Sequence, residues 1–210
     1  IRLEELSSAL KNPGRFVGLH FFNPVASLPL VEVIRGADTA DDAMQAALSF
    51  VTQIGKLPLP CRSAPGFLVN RLLTPYMLEA LYAHLDGHSL ETIDAAAKGF
   101  GMPMGPVELA DRVGLDVALH VAEILAEVLV VTPPDLLRAK VAKGDLGVKS
   151  GRGFYTYDKD GKPIKDRRAM APDKDLADRL ILPLLNEAVA CLDEQIVADA
   201  DLLDAGVIFG

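Results

Sequence analysis

Residues 17–33 of the chain read V-G-L-H-F-F-N-P-V-A-S-L-P-L-V-E-V. Two short apolar runs, 17–22 and 30–34, flank a turn that is rich in Asn, Pro and Ser, so the stretch predicts a strand, a tight connection and a second strand. Each run carries one titratable group, His20 in the first and Glu32 in the second. If the two strands lie side by side, the imidazole and the carboxylate meet in an apolar place.

Such a pair has two interpretations. A carboxylate on one ring nitrogen of a histidine fixes the tautomer and raises the basicity of the other nitrogen, as a general base requires. Alternatively, His20 is a core residue satisfied by a backbone carbonyl, and Glu32 reaches water at a strand end. The pattern leaves both open, and the cost of burying an unpaired glutamate is the argument for the first.

Composition limits the class of protein. The 210 residues are half apolar, which predicts a folded globular chain of one large or two small domains. A net charge of −8 and a pI near 5.0 argue against nucleic acid or an anionic membrane as the main partner. Cys61 and Cys191 lack metal-ligand spacing, so we predict no metal site and reduced core thiols of a cytoplasmic type of protein. We expect neither a signal peptide nor a membrane span, because polar residues interrupt the most apolar stretch, 117–131.

Strand and helix signals divide the chain. A helical pattern at 39–55 and a strand-like run at 57–61 follow the opening strands, and Ser63-Ala64-Pro65-Gly66 is the best boundary. Five helices are predicted after it, at 67–85, 89–98, 106–113, 116–131 and 134–143. Ser89 and Asp116 are the expected N-caps of two of them.

The chain also repeats itself. The segment 71–80 (R-L-L-T-P-Y-M-L-E-A) is echoed at 179–188 (R-L-I-L-P-L-L-N-E-A), and shorter echoes relate 94–101 to 204–210. A proline inside a helix at the same offset from Arg and Glu is unusual, so the echo predicts a duplicated helical unit. We call 71–101 the first copy and 179–210 the second copy. The second copy stops where the first continues, so we expect a chain cut at both ends.

A glycine-rich segment, 147–158, lies between the copies. It precedes a β-type run instead of following a strand and opening a helix, so it does not fit the dinucleotide-binding fingerprint. The pattern is typical of a turn that enters a hairpin at 158–161. Lys149 is its only candidate for contacting an anion.

Together, five motifs resemble the L-3-hydroxyacyl-CoA dehydrogenases of fatty-acid β-oxidation in order and spacing. They are G-L-H-F-F-N-P at 18–24, L-V-E-V-I at 30–34, P-G-F-L-V-N-R at 65–71, M-P-M-G-P at 102–106 and G-R-G-F-Y at 151–155. The duplication resembles the long multifunctional members, in which an enoyl-CoA hydratase region precedes the dehydrogenase.

This resemblance implies a mostly α fold preceded by the last strands of a Rossmann-type α/β domain. Residues 1–62 would be the C-terminal remnant of the NAD-binding domain. Residues 63–160 would form the helical dehydrogenase C-terminal domain, and 161–210 would begin a second, truncated copy of the helical unit.

Site residues follow from the resemblance position by position. It implies that His20 is the general base, that Glu32 is the carboxylate paired with it, and that Asn70 completes the site from the helical domain. From the residues alone, Asn70 is equally a cap of its helix's first turn. Asn23 and Lys149 would contact the cofactor, NAD.

The implied reaction is oxidation of a (3S)-3-hydroxyacyl-CoA to the 3-ketoacyl-CoA in the cytoplasm. Implied partners are the upstream Rossmann half, a second copy of the protein in a homodimer and a thiolase subunit, with no nucleic acid. The family's Gly-rich NAD turn and its site serine have no match in these residues, so we expect the chain alone to be catalytically silent. Two alternatives are an assembly module that pairs through the apolar faces of 67–85 and 176–192, and another β-hydroxyacid dehydrogenase. Members of that class generally use a lysine base and lack the H-F-F-N-P stretch.

Overall fold

The structure is a computed structural model that describes residues 3–166 and 174–210. It is mostly helical, as the sequence predicts. Its residues form two compact units, of which the first comprises Ile1–Leu72 with Glu187–Gly210 and the second Leu73–Asn186. The last segment of the chain therefore belongs in space with the strands that open it.

The first unit is built on a three-stranded sheet. Its strands are β1 (Gly18–Phe21), β2 (Leu30–Arg35) and β3 (Leu57–Arg62), in the order β1-β2-β3. The sheet is mixed, because β2 runs antiparallel to β1 and parallel to β3. These elements confirm the three predicted strands and the predicted turn between the first two. The helices of this unit are α1 (Leu3–Ser7), α2 (Asp41–Gln53), the first turn of α3 (Val69–Leu85), the end of α8 (Lys174–Asp193) and α9 (Ala200–Phe209).

Both faces of the middle strand β2 are covered. Successive side chains of a strand point to opposite faces. Val31 and Val33 pack against Met44 and Val51 of α2 on one face. Glu32 therefore points to the opposite face, and it is fully buried there.

Helices dominate the second unit. They are most of α3 (Val69–Leu85), α4 (Leu90–Phe100), α5 (Pro106–Val113), α6 (Leu115–Leu129), α7 (Asp135–Ala142) and the start of α8 (Lys174–Asp193). The predicted N-cap Ser89 is confirmed, because its hydroxyl accepts a hydrogen bond from the amide of Thr92. The predicted N-cap Asp116 is wrong. Gly114, with φ of +100°, turns the chain directly from α5 into α6, so that α6 begins before Asp116.

The two copies share one local form. Each has a helix with an internal proline, Pro75 in α3 and Pro183 in α8, followed by a shorter helix. In the first unit the Arg71 guanidinium binds two acids of the second copy. In the second unit Arg179 binds two acids of the first copy. The acids are Glu187 and Glu194 for Arg71, and Glu79 and Asp86 for Arg179.

Candidate active site

Strands β1 and β2 place His20 and Glu32 directly opposite each other in the antiparallel register. The Nδ1 atom of His20 lies 2.7 Å from Oε2 of Glu32. Glu32 has no exposed surface, whereas the side chain of His20 is 31% exposed. The arrangement is a buried carboxylate that binds a partly solvent-accessible imidazole.

The second oxygen of Glu32 is held by the backbone. Its Oε1 accepts hydrogen bonds from the amides of Leu68 and Val69, at 2.9 and 3.0 Å. Val69 is the first residue of α3, so the carboxylate lies at the positive end of a helix. A buried charge is tolerated when it is paired and hydrogen-bonded, and here both oxygens of Glu32 have partners.

The sequence predictions did not include these two backbone amides as part of the site. The turn before them is unusual, because both Gly66 and Phe67 have positive φ, at 77° and 51°. A non-glycine residue in this left-handed region is uncommon and is held there by its surroundings. Successive N–H groups in such turns form an anion-binding concavity. The P-G-F sequence at 65–67 is the signal that could have indicated it.

Aromatic rings border the imidazole. The ring of His20 lies 4.8 Å from that of Phe22 and 5.6 Å from that of Phe67, centroid to centroid. The carboxylate accepts a hydrogen bond from Nδ1–H, which leaves Nε2 of the neutral ring as a proton acceptor. Chemically, the site can take a proton from a ligand at Nε2 and stabilise the imidazolium that results.

The charge of Glu32 also affects the pKa of the Cys61 thiol on β3. Burial, and secondly the negative charge of Glu32, raise the pKa of its thiol above its usual range. Burial likewise raises the pKa of Cys191, to about 11. Both cysteines are free and buried, so they are neutral core thiols as the sequence predicts.

Asn70 and Asn23 belong to the same unit as the pair. Asn70 is the second residue of α3, is half-buried, and follows directly on Val69, whose amide holds Glu32. Asn23 is exposed in the turn between β1 and β2, where the Asn23–Pro24 peptide is cis.

Lys149 lies in the second unit, where its Nζ binds the Asp116 carboxylate at 2.5 Å. The glycine-rich segment around it is shaped by Asp111. That carboxylate accepts hydrogen bonds from the amides of Phe154 and Tyr155, and a Cβ on Gly153 would come within 2.0 Å of its Oδ1. The segment leads into an antiparallel hairpin of β4 (Thr156–Tyr157) and β5 (Pro163–Ile164), which confirms the turn-and-hairpin prediction.

Gly105 in the M-P-M-G-P motif has a similar structural role. A Cβ on Gly105 would lie 2.2 Å from Oδ1 of the buried Asp94, and that same oxygen accepts a hydrogen bond from the amide of Val107. These second-unit motifs are therefore explained by close backbone approach to buried acids.

Two features are absent from the part of the chain that the structure describes. In residues 3–166 and 174–210 no three His, Cys, Asp or Glu side chains are grouped so as to hold a metal ion. Over the same ranges no helix combines the length and apolarity that crossing a membrane requires.

Known proteins resemble the chain throughout. Residues 1–64 match the model of the 3-hydroxyacyl-CoA dehydrogenase NAD-binding domain, and residues 66–157 match that of the C-terminal domain of the same family. The fatty acid oxidation complex subunit alpha of Vibrio cholerae is 39% identical over 99% of this chain. The chain spans 31% of that relative's length.

Solved structures of known dehydrogenases also resemble the chain. A 3-hydroxybutyryl-CoA dehydrogenase from Escherichia coli superposes with a TM-score of 0.83 at 26% identity, over 100% of this chain and 64% of that one. The (S)-3-hydroxybutyryl-CoA dehydrogenase of Ralstonia eutropha gives a TM-score of 0.72 at 42% identity, over 76% of this chain and 58% of that one. The chain therefore belongs to the 3-hydroxyacyl-CoA dehydrogenase family.

Proposed function

We propose that the protein containing this chain oxidises (3S)-3-hydroxyacyl-CoA to 3-ketoacyl-CoA with NAD, and that His20 is its general base. The observation that carries the proposal is the contact of Nδ1 of His20 with the fully buried Glu32 at 2.7 Å. This contact directs the basic Nε2 outward, as proton abstraction from a bound alcohol requires.

In the proposed mechanism Nε2 of His20 takes the proton of the 3-hydroxyl group while the C3–H bond breaks. Bound NAD would supply the hydride acceptor for that hydrogen, so that oxidation of the alcohol would be balanced by reduction of the cofactor. Glu32 stabilises the imidazolium. A positioned base contributes about 10² to 10⁴ in rate, roughly 3 to 5 kcal/mol of barrier. Alignment of hydroxyl and cofactor must supply the rest.

Three further residues have proposed roles. Asn70 would orient His20 or the substrate, since it follows directly on the amides that hold Glu32. Asn23 would contact the cofactor, because it is exposed in the turn after β1, three residues after the proposed base His20. Lys149 would contact the cofactor from the glycine-rich segment, where its ammonium group also forms an ion pair with Asp116.

The proposed setting extends to partners and compartment. The similarity to a fatty acid oxidation complex subunit supports a place in such a complex, with a thiolase as a further subunit. Exposed apolar residues on one face of α8, Leu182, Leu185 and Val189, support self-association. The free, buried cysteines fit the reducing cytoplasm.

The test is substitution of the base in the full-length protein. His20→Gln should lower kcat with NAD by about 100-fold or more, with KM for the acyl-CoA nearly unchanged, because only the proton-transfer step loses its acceptor. His120→Gln, on an exposed position of α6, is the matched control and should keep its kcat. An unchanged kcat in His20→Gln would leave an assembly module as the better function.

A further inference from the structure

The second copy reaches the candidate site of the first unit. Residues 187–210 belong to that unit, and the amide of Arg62 at the end of β3 donates a hydrogen bond to the carbonyl of Ile196. Helix α9 follows and packs against β3. Leu59, the β3 residue opposite Glu32, lies against Gly206 of α9, so the second copy partly covers the side of the sheet that carries Glu32.

Gly206 of α9 lies close to two buried leucines. A Cβ on Gly206 would lie 2.5 Å from Cδ2 of Leu68 and 3.2 Å from Cδ2 of Leu59. Leu68 has no exposed surface and Leu59 almost none, so neither side chain has free space in which to move. Any side chain at position 206 would therefore have to displace the end of the buried Leu68 side chain.

Leu68 is also one of the two residues whose amides hold Glu32. It follows Gly66 and Phe67, whose positive φ values make the turn one that surrounding contacts must hold. The Leu68 side chain, fixed between α9 and β3, is such a contact. Displacing it would move the amides from Glu32 and hence the carboxylate from His20.

The repeat supports a specific need for glycine at this position. Asp204-Ala205 echoes Asp94-Ala95, so Gly206 corresponds to Ala96 of the first copy. Glycine is less favourable than alanine inside a helix, so local helix stability does not explain it. The glycine stands where the second copy meets Leu68.

We propose that helix α9 is a positioning element for catalysis, and that Gly206 keeps the Leu68 and Val69 amides on Glu32 and so fixes the orientation of His20. Gly206 touches no reacting atom and acts through Leu68. The inference rests on the proposed function of His20 and Glu32. It gives the second copy a part in the chemistry of the first unit.

The test uses the full-length protein with Gly206→Ala and Gly206→Val. Small displacements of a catalytic group are costly, so we expect kcat to fall about 10- to 100-fold for Gly206→Val and less for Gly206→Ala. KM for the acyl-CoA should stay nearly constant.

Matched controls and a second variant separate positioning from stability. Gly99→Ala and Gly99→Val change a helical glycine of α4 whose added Cβ would meet nothing within 4 Å, and they should keep both kcat and KM. Leu68→Ala removes the same contact from the side of the turn and should also lower kcat with KM nearly constant. Activity of the folded protein that is unchanged in both Gly206 variants would overturn the inference, as would a loss matched by the Gly99 variants. If His20→Gln is silent while Gly206→Val is active, the inference alone has failed. If His20→Gln is active, the proposed function has failed.

Discussion

Glu32→Gln in the full-length protein separates the chemistry of the site from its stability. The glutamine carbonyl can still accept the two amides that now bind Oε1 at 2.9 and 3.0 Å. Its NH₂ group then faces Nδ1 of His20, which must become the acceptor. The ring proton moves to Nε2, so the edge that should take a proton already carries one.

The magnitude follows from those contacts. Losing a correctly protonated base should lower kcat about 10² to 10⁴-fold, or roughly 3 to 5 kcal/mol of barrier. Stability should change far less. Three charge-assisted hydrogen bonds, two with backbone amides and one with His20, become neutral ones at about 1 kcal/mol each. A neutral amide is less costly to bury than a carboxylate, which offsets that loss.

The assay is kcat and KM against pH for the folded variant, together with its melting temperature. Glu108→Gln is the control, since it neutralises another buried acid with cationic partners, Lys165 and Arg112, in the second unit. A kcat for Glu32→Gln within about twofold of the unsubstituted protein would refute the assignment of the pair, because it lies far below the expected loss.

Three further predictions test the remaining residues. Asn70→Ala should lower kcat more than the melting temperature, whereas a large fall in melting temperature with intact kcat would show that Asn70 caps α3. Hydrogen bonds from Lys165 and Arg112 outweigh burial and set the pKa of Glu108 below its ordinary 4.5. The stabilisation from Glu108 is therefore present above its ordinary pKa and is lost as the pH falls through the lower folded-state pKa, so Glu108→Gln should flatten the decline in melting temperature below pH 4.5. The isolated 210-residue chain should show no micromolar NADH binding by calorimetry, because its sequence contains no Gly-rich strand-to-helix turn.

Local signals explain what could be predicted. Helix α5 matches its prediction at both ends because Pro106 at its first position and Gly114 after its last mark them in the sequence. The opposition of His20 and Glu32 could be anticipated because a breaker-rich turn between two apolar runs makes neighbouring strands. The hydrogen bonds from backbone amides to Glu32 could not be anticipated, because nearly every residue has an N–H group. Only the folded turn directs two of these groups at the Glu32 carboxylate.

The place of the second copy also required the structure. The repeat equates Arg71 with Arg179, but it does not say what either binds. In the structure each guanidinium binds acids of the other copy, with Nε–Oε1 distances of 2.5 Å for Arg71 and 2.6 Å for Arg179.

Arg71 is only 3% exposed and stands two residues after Val69. A buried guanidinium without its acids would be strongly destabilising. The start of α3 therefore depends on Glu187 of α8 and on Glu194, which follows that helix, just as Leu68 before α3 depends on Gly206 of α9. Two independent contacts, one ionic and one steric, thus link the second copy to the same few residues. Truncation before residue 187 should consequently impair His20 by disordering the start of α3, even though every residue proposed for the chemistry remains in the chain.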